Sequence, residues 1–264
     1  IRLLVKKGDD TPYLYNAKAY RRSDTSTIEV GYVELRRLLL KGMNLRFEDL
    51  ECGKEDLRFS ELEAKMREEL GINELTDDIL RTLGFYNQEG KLNNAAAIFA
   101  DENDLPGIDM VRFGRNISEF LDRETISNVS ALTLYDSAVK MYQRYYQYET
   151  IKGIVRETEE LIPESAFREA IANALAHRSW DMNSHIRVSM FDDHIEINSP
   201  GGLPEQVTAD DYLTGQVSYL RNQIMGTVFS RLGYIELLGT GVKRILEAYQ
   251  GATRKPQFTI PPGV

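Results

Sequence analysis

Apolar positions along this chain change spacing several times, and each change predicts an element. Residues 1–33 read as short extended pieces: 1–7, a turn over Gly8-Asp-Asp-Thr-Pro12, then 13–15 and 19–22. Residues 34–41 take helical spacing and stop near Gly42. Further on, Ser60 stands as a cap before a charged amphipathic helix that ends at Gly71, and a second helix over 76–83 ends at Gly84. Phe85-Tyr86 and residues 95–99 flank the turn Asn87-Gln-Glu-Gly90, which predicts a hairpin. Two helices and a hairpin give a winged-helix-like unit. Its second helix carries Asp77 and Asp78 against a single Arg81, which favours a packing subdomain over a surface that attracts phosphates.

Residues 128–150 predict a long helix bearing Tyr135, Tyr142, Tyr145, Tyr146 and Tyr148. Tyrosines at helical spacing point to a core or an interface rather than to a base-stacking platform. Pro163 and Glu164 then mark the start of a helix through His177, with Phe167, Ala170, Ile171 and Ala174 on one face. Residues 185–190 alternate as a strand, a turn follows at Asp192-Asp193, and residues 195–197 form a second strand. A glycine-rich turn, Asn198-Ser-Pro-Gly201-Gly202-Leu203-Pro204, closes it. The stretch 205–238 starts polar and has the length of a lid. Leu238-Gly239-Thr240-Gly241 leads into a last helix over 242–249.

Composition narrows the picture. Over 264 residues the hydrophobic share is 42% and the charged share 28%, the profile of a globular protein with room for two domains. No apolar run reaches the ~20 residues needed to span a membrane. Cys52 is the single cysteine, which excludes an internal disulfide framework and a multi-thiolate metal site, and fits a reducing, cytoplasmic setting. The net charge of −9 argues against broad gripping of DNA or RNA, so such a partner would be held by a local patch or by parts missing from this fragment. The chain opens without Met and stops as an extended segment begins, and it reads as a piece of a longer protein.

The candidate chemistry lies in residues 162–260. Glu169, Asn173 and His177 recur every fourth residue and form one stripe along the 166–177 helix. The Asn173 amide oxygen suits Mg²⁺, which prefers hard oxygen ligands, and the Glu169 carboxylate can orient or deprotonate a water. Gly201 and Gly202 let backbone approach a ligand closely. Gly239-Thr240-Gly241 at a helix N-terminus presents free N–H groups and the positive dipole end to phosphate. Reading His177, His185 and His194 as a metal set has little support, because they span a helix end, a strand and a turn. A Ser–His site lacks the G-x-S-x-G elbow.

In this order, Glu169-Ala-Ile-Ala-Asn173, the strand pair, the glycine turn and Gly239-Thr-Gly241 resemble the ATP-binding fold of DNA gyrase, heat-shock chaperone ATPases, sensor histidine kinases and MutL. The stretches 167–178, 195–204 and 239–244 look like a divergent branch of that fold, the helicase-like C-terminal ATPase domain of bacterial transcriptional regulators. There it follows a Schlafen-type, AlbA-like domain, whose end residues 1–33 resemble. The resemblance implies ATP and Mg²⁺ as ligands, Asn173 as the metal ligand and Glu169 as the water-orienting carboxylate. It also implies phosphate contacts from Gly239, Thr240 and Gly241, with Lys243 or Arg244 as a charge partner. Asn198 and Pro200 stand where the wider superfamily has Asp and Gly in its adenine-reading D-x-G-x-G.

The expected fold is therefore α+β: a C-terminal α/β sandwich of the histidine-kinase and gyrase type, preceded by a small helix–hairpin subdomain and the end of a β-containing domain. The expected division is 1–50 for the Schlafen/AlbA-like end, 51–150 for a helical connecting region with the winged-helix-like unit, and 151–264 for the ATP-binding domain. The function expected is an ATP-binding transcriptional regulator, with weak hydrolysis left open. The alternative is a nucleic-acid-binding or dimerisation module with a degenerate nucleotide site, and a homodimer through the tyrosine-rich helix fits either reading.

Overall fold

The computed structural model describes residues 12–43, 45–152, 155–203, 207–214 and 219–260. The expected strand over 1–7, Pro204 and parts of the 205–238 segment lie outside the described residues. The chain opens with a hairpin, β1 (Tyr20–Ser23) and β2 (Ser26–Glu29), followed by α1 (Tyr32–Gly42) and a 3-10 turn at Phe47–Asp49. Next come α2 (Ser60–Leu70), α3 (Asp77–Thr82) and α4 (Asn94–Phe99). Two strands, β3 (Ile108–Phe113) and β4 (Phe120–Ile126), precede the long α5 (Ala131–Tyr146). A ribbon of β5 (Gln147–Lys152) and β6 (Val155–Glu160) leads to α6 (Glu164–His177), β7 (Ile186–Met190) and β8 (Ile195–Asn198). The described chain closes with α7 (Ala209–Thr214), α8 (Gln223–Arg231) and α9 (Gly241–Ala248).

The architecture is α+β around one mixed sheet of order β4-β3-β7-β8, in which β3 runs parallel to β7 and the other neighbours are antiparallel. Helices cover one face only. Ile108 and Met110 of β3 and Ile186, Val188 and Met190 of β7 are buried in one cluster with Leu132, Tyr142, Phe167, Ile171 and Phe229. The opposite face is mostly polar, apart from the buried Val111. Thr125, Asp109, Arg187 and Asn198 stand in one cross-strand row there, and Asp109 accepts two bonds from Arg123 at 2.9 and 3.0 Å. The sheet therefore joins strands from before and after position 150, although the sequence pattern divides the chain there.

The tyrosines of α5 lie mostly in the core. Tyr135, Tyr142 and Tyr146 are buried, Tyr142 stacks on Phe167 at 4.7 Å, and the Tyr146 hydroxyl donates to the Phe191 carbonyl at 2.5 Å. Tyr145 is half-buried, and Tyr148, in β5, is exposed.

The expected hairpin over 85–99 keeps its turn but loses its second strand. Tyr86 and Leu92 share only an isolated bridge, and residues 94–99 form α4. The Asn93 side chain accepts from Ala96 N at 3.1 Å and caps three consecutive alanines, the best helix formers. A wholly buried segment has no polar positions to reveal its period, which is why its pattern resembles a strand. The winged-helix resemblance falls with it, and Leu62, Met66, Phe85, Ile98 and Phe99 instead join the common core. Ser60 is not the cap of α2 either. Asp101 accepts from the Ser60 and Glu61 N–H groups at 2.8 and 3.0 Å, so the cap comes from forty residues away.

The described segment that ends at Leu50 is tied to the sheet domain by a buried carboxylate. Glu48, fully buried, accepts from Ile224 N at 3.0 Å and Met225 N at 3.3 Å, satisfying first-turn donors of α8. Arg46 lies 3.4 Å from it. Burial pushes the Glu48 carboxyl above its ordinary value, against the pull of these bonds. No helix among the described residues is long and apolar enough to cross a membrane.

Candidate functional site

Helix α6 spans the helical layer, and its C-terminal carbonyls are taken up by side chains from distant segments. Ser199 Oγ donates to the Ala174 carbonyl at 2.7 Å. Arg221 Nε donates to the His177 carbonyl at 3.0 Å, and the buried Asn222 amide donates to the Ala176 and Arg178 carbonyls at 2.9 Å each. Just beyond, the buried Arg178 guanidinium donates to the carbonyls of Pro106, Gly107 and Ser184 and lies 4.2 Å over the Trp180 ring. These bonds fix the rotation of α6, and with it the stripe of Glu169, Asn173 and His177.

Glu169 is 7% exposed and accepts from Asn173 Nδ2 at 3.0 Å through Oε1. That bond turns the amide nitrogen towards the carboxylate and leaves Asn173 Oδ1 free for a hard cation. Burial raises the Glu169 carboxyl above its ordinary value, while the Asn173 bond and the Arg244 charge oppose the rise.

The N-terminus of α9 faces this pair. Its cap residue is Thr240, whose side chain makes no capping bond, and its first-turn N–H groups have no acceptor within the helix. Gly239 takes φ +69°, the left-handed conformation that glycine adopts freely. Gly241 touches the pair directly: a Cβ there would lie 2.6 Å from both Asn173 Nδ2 and Glu169 Oε1. Arg244, one turn along, approaches Glu169 Oε2 at 3.7 Å and pairs with Glu236.

Between α6 and α9 runs a small cleft whose walls include Asn173, His177, Tyr212, Glu236, Gly239 and Gly241. It encloses about 60 Å³, against roughly 300 Å³ or more for a typical ligand pocket. The walls have the chemistry for a metal-bound phosphate: an amide oxygen, a carboxylate and an uncapped helix N-terminus. Gly241 sits directly on Asn173 across this cleft.

The structure thus brings together Glu169, Asn173, Gly239, Thr240 and Gly241 from the sequence-derived set. The others lie elsewhere. Lys243 is exposed on α9 and does not line the cleft, whereas Arg244 reaches Glu169. Asn198 is exposed on the polar face of the sheet, in register with Arg187 and away from the helices. Its neighbour Ser199 points to α6 instead. Gly201, at φ +102°, packs so closely on Ser179 that a Cβ would stand 2.5 Å from Ser179 Oγ, and the Gly202 carbonyl accepts from Arg221. Both glycines brace the end of α6 rather than the cleft. Glu236 and Tyr212 carried no spacing signal, and both enter the cleft through tertiary packing.

Residues 183–263 match the model of the family described as "Putative ATP-dependent DNA helicase recG C-terminal". The match takes in β7, β8 and α9, and the C-terminal part of the chain is ATPase-like in its pattern. Among solved structures, the DIP2311 protein from Corynebacterium diphtheriae is similar with a TM-score of 0.69 and 23% identity over 91% of this chain. This likeness is one of fold. The chain spans about half of that protein, 50% of its length. No curated protein matches the chain.

Proposed function

We propose that this chain binds ATP with Mg²⁺ in the cleft between α6 and α9. The observation that carries the proposal is the seating of the uncapped α9 N-terminus at Gly241 on the Glu169–Asn173 pair. A buried carboxylate and amide facing unsatisfied backbone donors offer oxygen ligands to the metal and N–H groups to the phosphates. The ATPase-like pattern of residues 183–263 supports the same reading.

In this reading Asn173 Oδ1 holds the metal, and Gly239, Thr240 and Gly241 hold phosphate through backbone N–H groups. Glu169 orients a water, and Arg244 replaces Lys243 as the nearby cation. When bound, the metal neutralises phosphate charge and withdraws electrons from the terminal phosphorus. Gly241 must move off Asn173 before a phosphate can enter, so binding is coupled to displacement of α9. The unit that binds nucleotide begins before residue 151, since β3 and β4 belong to its sheet.

Within a longer protein, nucleotide-driven movement of α9 would regulate a nucleic-acid-bound assembly, with the nucleic acid held by parts outside this chain. Calorimetric titration of Mg-ATP into the wild type and Asn173→Ala tests the binding. A phosphate-release assay on Glu169→Gln separates hydrolysis from binding alone.

A further inference from the structure

Asn198, the expected reader of the base, faces away from the cleft. Some other group must supply the polar contact beyond the phosphates. One turn of α6 separates Asn173 from His177, about 6 Å along the axis, and both line the same cleft. The His177 ring meets the Tyr212 ring edge-on, with centroids 6.1 Å apart, and Tyr219 and Leu220 continue the wall. The cleft therefore has a phosphate end, at Gly239, Gly241 and Asn173, and an aromatic end at His177, Tyr212 and Tyr219.

Resting on the nucleotide reading above, we infer that His177 is the base-reading residue and that the aromatic end receives the purine of the nucleotide. A neutral imidazole has one N–H donor and one acceptor nitrogen pointing to opposite sides of the ring, so it can make a single contact to an adenine edge, accepting from the amino group or donating to a ring nitrogen. Burial and the neighbouring Arg221 hold the His177 ring down to about 4, so it is uncharged at neutral pH. No hydrogen bond to the ring comes from any other described residue, whereas the His177 carbonyl is taken by Arg221. The main chain is fixed while the ring nitrogens stay available. Aromatic walls of this kind stack on a base without selecting it, and the imidazole adds the selection.

The test compares Mg-ATP, Mg-GTP and Mg-tripolyphosphate, the last having no base, by calorimetry on the wild type, His177→Phe and His177→Gln. Circular dichroism melting verifies that each variant folds. The wild type should prefer Mg-ATP to Mg-tripolyphosphate and to Mg-GTP. His177→Phe, which keeps an aromatic ring but removes the donor and acceptor, should lose ~10-fold or more in Mg-ATP affinity. Its tripolyphosphate affinity should not change. His177→Gln, which keeps a donor and an acceptor, should recover part of the loss. The inference is overturned if both variants bind Mg-ATP as the wild type does, or if ATP and tripolyphosphate weaken together. A wild type that binds neither ligand overturns the nucleotide reading itself, and this inference with it. Tripolyphosphate binding without any gain from the base overturns only the role of His177.

Discussion

Gly241 and Asn173 are in contact across the α6–α9 cleft, so close that a methyl group on the Gly241 Cα would stand 2.6 Å from Asn173 Nδ2. Gly241 is the first residue of α9 and its φ is not positive, so alanine suits its backbone and the conflict is one of space. Gly241→Ala should therefore still fold, with a loss of about 1–3 kcal/mol, while its methyl group pushes the Asn173 amide and the Glu169 carboxylate out of place. Mg-ATP affinity should fall ~10-fold or more. Thermal melts with titrations read both quantities, and an alanine variant with wild-type affinity would mean that this contact does not position the pair.

Glu169 is held at a cost to stability. Burial raises its folded-state pKa above the ordinary value near 4.5. The penalty is absent below the unfolded value and present in full once pH has risen past the folded value. Glu169→Gln removes the charge and should raise Tm by a few degrees at neutral pH, with the gain shrinking as pH falls towards the ordinary glutamate range. Melts across a pH series provide the measurement, and a Tm lowered at neutral pH would show that the ionised carboxylate stabilises the fold.

Much of this arrangement was legible in the sequence, and the rest has physical reasons for its silence. The Glu169–Asn173 spacing places both side chains on one stripe whatever the tertiary fold, and Gly239-Thr-Gly241 marks a helix start by local chemistry alone. β7 shows itself by strict alternation. β3 does not, because Val111 and Arg112 are buried beside Met110 and break the period-two pattern. Asn198 shows how a single position decides a role: Ser199, one residue on, points to α6, and a strand residue's face reverses at each step. The bonds of Arg221, Asn222 and Ser199 to the end of α6 join residues 25 to 46 positions apart, a distance at which no spacing rule operates.

Glu48 carries a further consequence of such long-range capping. Its carboxylate serves two N–H groups of α8, and α8 brings Met225, Val228 and Phe229 into the core. Glu48→Ala should destabilise the protein by about 1–3 kcal/mol, read as a lower urea midpoint with an unchanged slope. Glu48→Gln, which retains one acceptor, should cost less. Equal and negligible effects would mean that α8 needs no cap from the N-terminal segment.

Binding of a metal-bound nucleotide by the Glu169–Asn173 pair and the α9 N-terminus underlies the proposed function. Titration of Mg-ATP into the wild type and Asn173→Ala by calorimetry tests it most directly. The wild type should show saturable binding, weakened at least ~10-fold in Asn173→Ala and unchanged in Asn198→Ala. Absence of binding at millimolar Mg-ATP, or equal affinity in the wild type and Asn173→Ala, would contradict it.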